Sequence, residues 1–319
     1  MANVIVTGGV GFIGYHLTHA LLARGDRVTV IDDFCDTPYP TFEKRRNEAD
    51  LSAAWPDHFR CVAACVSERA KIAPFFEGID GVFHLAGLAG VRPSFRDPAR
   101  YARVNVEGAT TTFELARNAN VDRFILASSS SVYGNSTPLP AHEDAPAMMP
   151  ESPYAASKRA GELAVAALAR GAPELACAAL RFFTVYGPRQ RPEMAISLFT
   201  RACLRGETLT IFGDGSMRRD FTHVDDIVAG VLAAFDTIKP GYRVYNLGSG
   251  SPVDLATLVA AIGTATAVSP QIERSPVPLG DVEATFADVS RAARELGWSP
   301  RVDLASGLKT VVEWVRTGR

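Results

Sequence analysis

The first fourteen residues admit few folds. Val4–Val6 is a short, β-branched apolar run that leads straight into Thr7-Gly8-Gly9-Val10-Gly11-Phe12-Ile13-Gly14, and Ile13, Leu17, Ala20 and Leu21 then recur at helical spacing. A strand, a glycine turn and a helix in that order make a phosphate cradle. The glycines allow a tight turn and close backbone approach, and the helix start offers unpaired N–H groups at the positive end of its dipole. Gly8, Gly11 and Gly14 are spaced Gly-x-x-Gly-x-x-Gly, one residue longer than the commonest dinucleotide fingerprint. Asp32 and Asp33 close the next strand, Val28–Ile31, where a carboxylate accepts from a ribose 2′-hydroxyl. Two carboxylates there would repel a 2′-phosphate, so the expected cofactor is NAD and not NADP.

Further buried strands are expected at Val82–Leu85, Phe124–Ala127 and Ala178–Phe183, separated by helix-period segments such as Val104, Ala109, Phe113 and Ala116. Gly25-Asp26 reads as the stop of the first helix. This alternation predicts an α/β fold, a doubly wound parallel sheet. Beyond Gly187 the elements shorten, until a helix at Asp225–Ala234 and a strand at Arg243–Leu247 suggest a return to the sheet. The expected division is a cofactor domain of residues 1–185 with 221–247, and a smaller C-terminal substrate domain of 186–220 and 248–319. From Pro252 onward the pattern reads as mixed short helices, with a Pro-rich connector at Ser275–Pro278.

Composition removes several function classes. With 33 basic and 35 acidic residues, the formal charge of −2 leaves no electrostatic footprint for nucleic acid or an anionic membrane. The five cysteines are odd in number and scattered, which suits neither a disulfide framework nor a metal cluster. No signal-peptide pattern and no membrane-length apolar run are present, so a cytoplasmic protein is expected.

Tyr154 and Lys158 lie at i and i+4 on one helix face, with Ser152 and Pro153 suited to the N-cap and first helical position. A free phenol titrates near ~10 and is a poor base at neutral pH, but a fixed cation beside it favours the phenolate. Ser128-Ser129-Ser130-Ser131 follows the strand Phe124–Ala127, and hydroxyls at the carboxyl end of a parallel strand face the ligand crevice.

Taken together, these motifs resemble an extended short-chain dehydrogenase/reductase of the NAD-dependent epimerase/dehydratase group, with a Rossmann-like fold. The resemblance extends through His84-Leu85-Ala86-Gly87, Asn105-Val106-Glu107-Gly108, Arg181–Pro188 and Arg219–Asp226. It implies Tyr154 as the base, Ser129 assisting the phenol, and Lys158 on the nicotinamide ribose. It adds Phe12, Ile13, Val66, Leu85, Ala86, Gly87, Asn105 and Phe183 to the cofactor contacts, and makes His84 and His223 structural. It also implies a homodimer in which the Val104–Ala116 and Tyr154 helices pair with their mates, with Ala160, Ala164, Ala166 and Ala167 allowing close approach.

Dehydratases and decarboxylases of the group carry an acid beside the catalytic hydroxyl, whereas this chain has Ser129, Ser130 and Ser131 there and no Asp or Glu before Tyr133. That favours a 4-epimerase. Residues 182–195 are most similar to those of UDP-glucuronate 4-epimerases, with Thr184 where galactose-type enzymes usually carry Asn. The resemblance then implies a UDP-sugar substrate, with Thr184, Arg191 and Ser128–Ser130 at a uronate carboxylate, Arg219 at the diphosphate, Phe212 beside uracil and Arg92 as another anion contact. Two departures stand out: Cys65-Val66 where relatives often have an adenine-binding Asp, and Pro278-Leu279-Gly280-Asp281 where galactose-type relatives have an Arg. The alternatives are a neutral-sugar 4-epimerase, a UDP-glucuronate decarboxylase and a non-catalytic NAD(H)-binding module.

Overall fold

A computed structural model describes residues 1–37, 39–276 and 282–318. The first half runs β1 (Asn3–Thr7), α1 (Phe12–Ala23), β2 (Arg27–Asp32), α2 (Thr41–Ala54), β3 (Phe59–Ala63), α3 (Arg69–Ile72) and β4 (Gly81–His84). It continues through α4 (Val91–Arg96), α5 (Pro98–Ala102), a π-turn at Arg103–Glu107, α6 (Gly108–Asn118), β5 (Arg123–Ser129), α7 (Pro153–Ala169) and β6 (Ala176–Phe182). After β7 (Thr184–Tyr186) come α8 (Ala195–Arg205), β8 (Leu209–Phe212), β9 (Arg218–Arg219), β10 (Phe221–His223), α9 (Val224–Thr237) and β11 (Gly241–Leu247). The chain ends with β12 (Val253–Asp254), α10 (Leu255–Thr266), β13 (Ile272–Ser275), α11 (Ser290–Leu296) and α12 (Leu304–Thr317).

Seven parallel strands form one sheet in the order β11-β6-β5-β4-β1-β2-β3. Alternation along each strand sends side chains to opposite faces. Val4, Val6, Val28 and Val30 pack with Leu17 and Leu21 of α1 and with Ile227 and Val231 of α9. Ile5, Ile31, Val82 and Phe124 instead pack with Phe113 of α6 and Val165 of α7. Strand order reverses between β1 and β4, and the carboxyl ends there open the crevice in which such sheets bind ligands. A separate core joins Ile196 and Phe199 of α8, Ile211 of β8, Leu258 and Ile262 of α10, and Leu308 and Val311 of α12.

Differences from the sequence reading are local. β3 escapes a search for apolar runs because it is an edge strand with Arg60 exposed at its second position. The tail helices α10 and α12 are 12 and 14 residues long, longer than the expected short pieces, since interior Gly and Thr residues blur their apolar period. The helix expected around Val104 begins as the π-turn, which shifts the phase of its inward-facing residues. The Pro278–Asp281 departure lies outside the described residues.

Candidate active site

One cavity of about 860 Å³ lies across the carboxyl ends of β1, β2, β4 and β5 and reaches β8 and α8 on the other side. Its glycine turn requires glycine at two positions. Gly8 has φ +71°, and a Cβ there would sit 2.8 Å from the Ala86 amide nitrogen; a Cβ on Gly14 would sit 2.0 Å from the Gly8 carbonyl oxygen. Gly11 is the N-cap of α1 and no side chain caps that helix end, which leaves its first turn suited to an anion. Phe12, Ile13, Leu85, Ala86 and Gly87 also line the cavity.

Asp32 is buried where β2 ends, and its Oδ1 accepts from Lys44 Nζ at 3.0 Å and from the Phe34 amide at 2.9 Å. Burial pushes its carboxyl pKa up, opposed by the Lys44 charge. Asp33 lies 3.7 Å from the same ammonium. Lys44 was not found from the sequence, because α2 carries charged residues all round and gives no periodicity to single out a buried one. Val66 and Cys65 line the same end of the cavity.

Ser152 caps α7, accepting from the Ala155 amide at 3.2 Å, and so sets Tyr154 and Lys158 in the first two turns. Ser129 lies beside the Tyr154 phenol and favours its ionised form, while its Oγ donates to Ser131 Oγ at 3.2 Å and accepts from the Ser131 amide at 3.2 Å. Burial nevertheless raises the Tyr154 pKa, and the Arg191 charge opposes that rise. Lys158 Nζ donates to the Ala127 carbonyl at 2.9 Å, and burial lowers its pKa to about 8, with Glu162 acting to raise it. Ser128 Oγ is buried against the Glu162 carboxylate, whose ionised form it favours, without regular hydrogen-bond geometry.

The sugar side also converges on the cavity. Thr184, Phe183, Ser130, Arg191, Arg219, Arg92 and Phe212 all line it. Arg191 is held by Glu193 at 3.1 Å and by Met194 Sδ at 3.2 Å. Arg219 donates to the carbonyls of Arg218 and Glu283. Arg92 lies 4.6 Å over the Phe212 ring, joining α4 to β8 across the cavity.

Asn105 is the exception. It stands behind the cavity with both ends of its amide engaged: Oδ1 accepts from the Leu88 amide at 2.8 Å, and Nδ2 donates to the Leu88 carbonyl and Ser157 Oγ. It therefore shapes the 84–88 loop and is not a lining group. The two histidines are structural, as expected. His84 Nδ1 pairs with Thr7 Oγ1 at 3.0 Å with its pKa lowered to about 3 by burial, and His223 caps α9.

The family model for the NAD dependent epimerase/dehydratase family matches residues 4–248. The chain belongs to that family. It is 39% identical to UDP-glucuronate 4-epimerase 3 of Arabidopsis thaliana over 98% of this chain and 76% of the relative. It is 35% identical to UDP-glucuronate 4-epimerase of Thermodesulfobacterium geofontis, over 98% of this chain and 96% of that one. Among solved structures, UDP-glucuronic acid 4-epimerase from Bacillus cereus, in complex with UDP-glucuronic acid and NAD, superposes with a TM-score of 0.92 at 32% identity, covering 99% of this chain and 100% of that chain.

Two more groups adjoin the site that local pattern did not reveal. Tyr101 packs edge-on to Tyr154, ring centroids 6.3 Å apart, and donates to the Ala89 carbonyl. Gln190 lines the cavity with Nε2 donating to the Val185 carbonyl at 2.9 Å. No local signal marks Tyr101, whereas Gln190 is the immediate neighbour of the candidate Arg191. Among the described residues, no group of three His, Cys, Asp or Glu side chains is placed to hold a metal ion, and no helix is long and apolar enough to cross a membrane.

Proposed function

We propose that this protein interconverts UDP-glucuronate and UDP-galacturonate by NAD-dependent 4-epimerisation. The observation that carries the reading is the set of groups around Tyr154. Ser129, Thr184 and Arg191 share its cavity, and residues 128–131 provide hydroxyls where a dehydratase would need a carboxylic acid. The relatives' substrates support the uronate.

NAD, when bound, accepts a hydride from C4 of the sugar and returns it. The glycine turn and α1 N-terminus would hold its pyrophosphate, Asp32 a ribose, and Lys158 the nicotinamide ribose. The turn fits that role, because a Cβ at Gly8 or Gly14 would collide with neighbouring backbone, so glycine alone keeps the turn this tight below the α1 N-terminus. Tyr154 takes the C4 hydroxyl proton, with Ser129 bonding the phenolate oxygen. Arg191 favours that phenolate from the sugar side. The resulting 4-ketone turns over so that C4 presents its other face to the cofactor, and Tyr154 returns the proton to the C4 oxygen. A 4-ketone β to a carboxylate loses CO₂ readily when the bond to the carboxylate stands perpendicular to the carbonyl plane. Thr184 and the serine loop would hold the carboxylate away from that geometry.

In this reading residues 1–185 and 221–247 bind NAD, while 186–220 and 248–319 bind the nucleotide sugar. The protein acts as a homodimer through α6 and α7, where Ala156, Leu163 and Ala167 form an exposed apolar stripe at helical spacing. A cytoplasmic setting accords with five cysteines that form no disulfide.

The test is incubation of the purified protein with UDP-glucuronate, UDP-glucose and UDP-N-acetylglucosamine, with and without added NAD, and identification of products. UDP-galacturonate from the wild type and none from Tyr154→Phe is the expected result. UDP-pentose as the main product would make it a decarboxylase, faster turnover of UDP-glucose a neutral-sugar enzyme, and no turnover with tight NAD binding a sensor.

A further inference from the structure

Behind the cavity, one nearly buried cation ties the sugar side to the glycine turn. Arg189 follows Pro188 after β7 and has φ +63°, a left-handed conformation that a residue with a side chain keeps only when its surroundings hold it. Its guanidinium forks onto α2: one nitrogen donates to Asn47 Oδ1 and the other to Asp50 Oδ2 at 2.6 Å. The same group lies 3.9 Å over the Tyr15 ring of α1 and 4.8 Å from the Trp314 ring of α12. Its carbonyl accepts from Tyr39 Oη at 3.1 Å. Asn47, fully buried, passes the connection on by donating Nδ2 to the Val10 carbonyl at 2.8 Å and to Tyr39 Oη at 3.4 Å.

The Val10 carbonyl belongs to the glycine turn, so two side chains connect that turn to residue 189. On the other side, Gln190 is pinned by its amide to Val185, and Arg191 enters the cavity beside Tyr154. Three elements and one loop converge on Arg189, although it does not itself line the cavity. Packing alone would not require the fork, since the aromatic stack could be met by an apolar side chain.

We propose that Arg189 is a positioning residue, setting the Gly187–Arg191 turn against the glycine turn so that Arg191 is held in register with the cofactor before the nucleotide sugar arrives. The inference rests on Arg191 contacting that sugar nucleotide.

The test is steady-state kinetics of the NAD-loaded full-length protein on whichever UDP-sugar the wild type turns over, for Arg191→Leu, Arg189→Leu and the double variant. Loss of a charge-assisted contact predicts a KM raised roughly ten- to hundredfold in Arg191→Leu and about tenfold in Arg189→Leu, with kcat in the latter within about threefold of wild type. Because Arg189 acts through Arg191, the double variant should be no worse than Arg191→Leu alone. A KM unchanged in Arg189→Leu while Arg191→Leu is impaired overturns the inference, and so do effects that multiply in the double variant. A KM unchanged in Arg191→Leu overturns the underlying substrate reading instead. Arg189→Lys keeps the charge but cannot span Asn47 and Asp50 with a fixed fork. It should raise KM as leucine does, also if the leucine variant does not fold, and full wild-type KM with lysine overturns the positioning role.

Discussion

At the scale of single residues, the site holds a hydroxyl proposed to recognise substrate and an ammonium kept at an energetic cost. Thr184 keeps β7 in place through its backbone, donating its amide to Asp220, so its hydroxyl can be removed without disturbing the strand. Thr184→Val should lower kcat/KM for UDP-glucuronate roughly ten- to hundredfold, the effect of one hydrogen bond to a charged group worth about 1.5–3 kcal/mol. Any activity on UDP-glucose should change little, and the decarboxylated fraction of product should rise; equal losses on both sugars would make Thr184 a packing residue. Lys158 behaves differently. Its pKa falls from the usual lysine value to about 8 on folding, so the unfolded chain binds more protons between about pH 8 and 10.5. The penalty is therefore complete below pH 8 and fades as pH rises through that window. Lys158→Met in protein stripped of NAD should gain on the order of 1–2 kcal/mol at pH 7, after discounting for water in the cavity and the lost bond to Ala127, with most of the gain lost by pH 10. Thermal melts of both proteins at pH 7 and 10 test this, and a gain that grew with pH would contradict it.

Between elements, buried carboxylates do the joining. Asp220, at the junction of β9 and β10, has no exposed surface. It accepts from the amides of Ser249 at 2.6 Å, Gly250 at 3.1 Å and Ala287 at 3.1 Å, and from the Ser249 and Thr222 hydroxyls. That one side chain joins the end of β11 to the segment before α11 and keeps Arg219, its neighbour, at the cavity wall. Removing it leaves several donors unpaired, each costing about 1–3 kcal/mol where buried. Asp220→Ala should therefore cost roughly 3–5 kcal/mol and lower Tm by roughly 10 °C in a chain of this size, measured by calorimetry on the purified protein. Glu162 plays a similar part beneath the serine loop, receiving two guanidinium nitrogens of Arg181 at 2.9 Å. Neither role could be read locally, because the partners of Asp220 lie up to 67 residues away.

At the scale of the whole molecule, one face of α7 carries the proposed assembly. Leu163 is 54% exposed at the middle of α7, between the exposed alanines 156 and 167. An apolar side chain so placed on a helix whose other face is packed against the sheet suits a mate of the same chain, and a two-fold pairing would repeat the stripe on both partners. Light scattering of the wild type should give twice the 34.2 kDa of the chain, and Leu163→Glu should give the monomer mass. A monomeric wild type at micromolar concentration would remove the dimer.

What the sequence determined by itself was whatever its near neighbours along the chain could specify. The β1–glycine–α1 cradle, Asp32 at the end of β2, the Ser152 cap with Tyr154 and Lys158 one turn apart, and the serines ending β5 all depend on spacings of a few residues. Backbone geometry converts such spacings directly into positions in space. The tertiary structure alone decided the partners of these groups. It turned Asn105 away from the cavity to hold Leu88, set Lys44 against Asp32, brought Arg191 close enough to act on Tyr154, and joined Arg189 to Asn47 across 142 residues. Burial and charge proximity are properties of packed surfaces. They depend on which helices and strands meet, and that is settled by the sum of many weak contacts distributed over the whole chain.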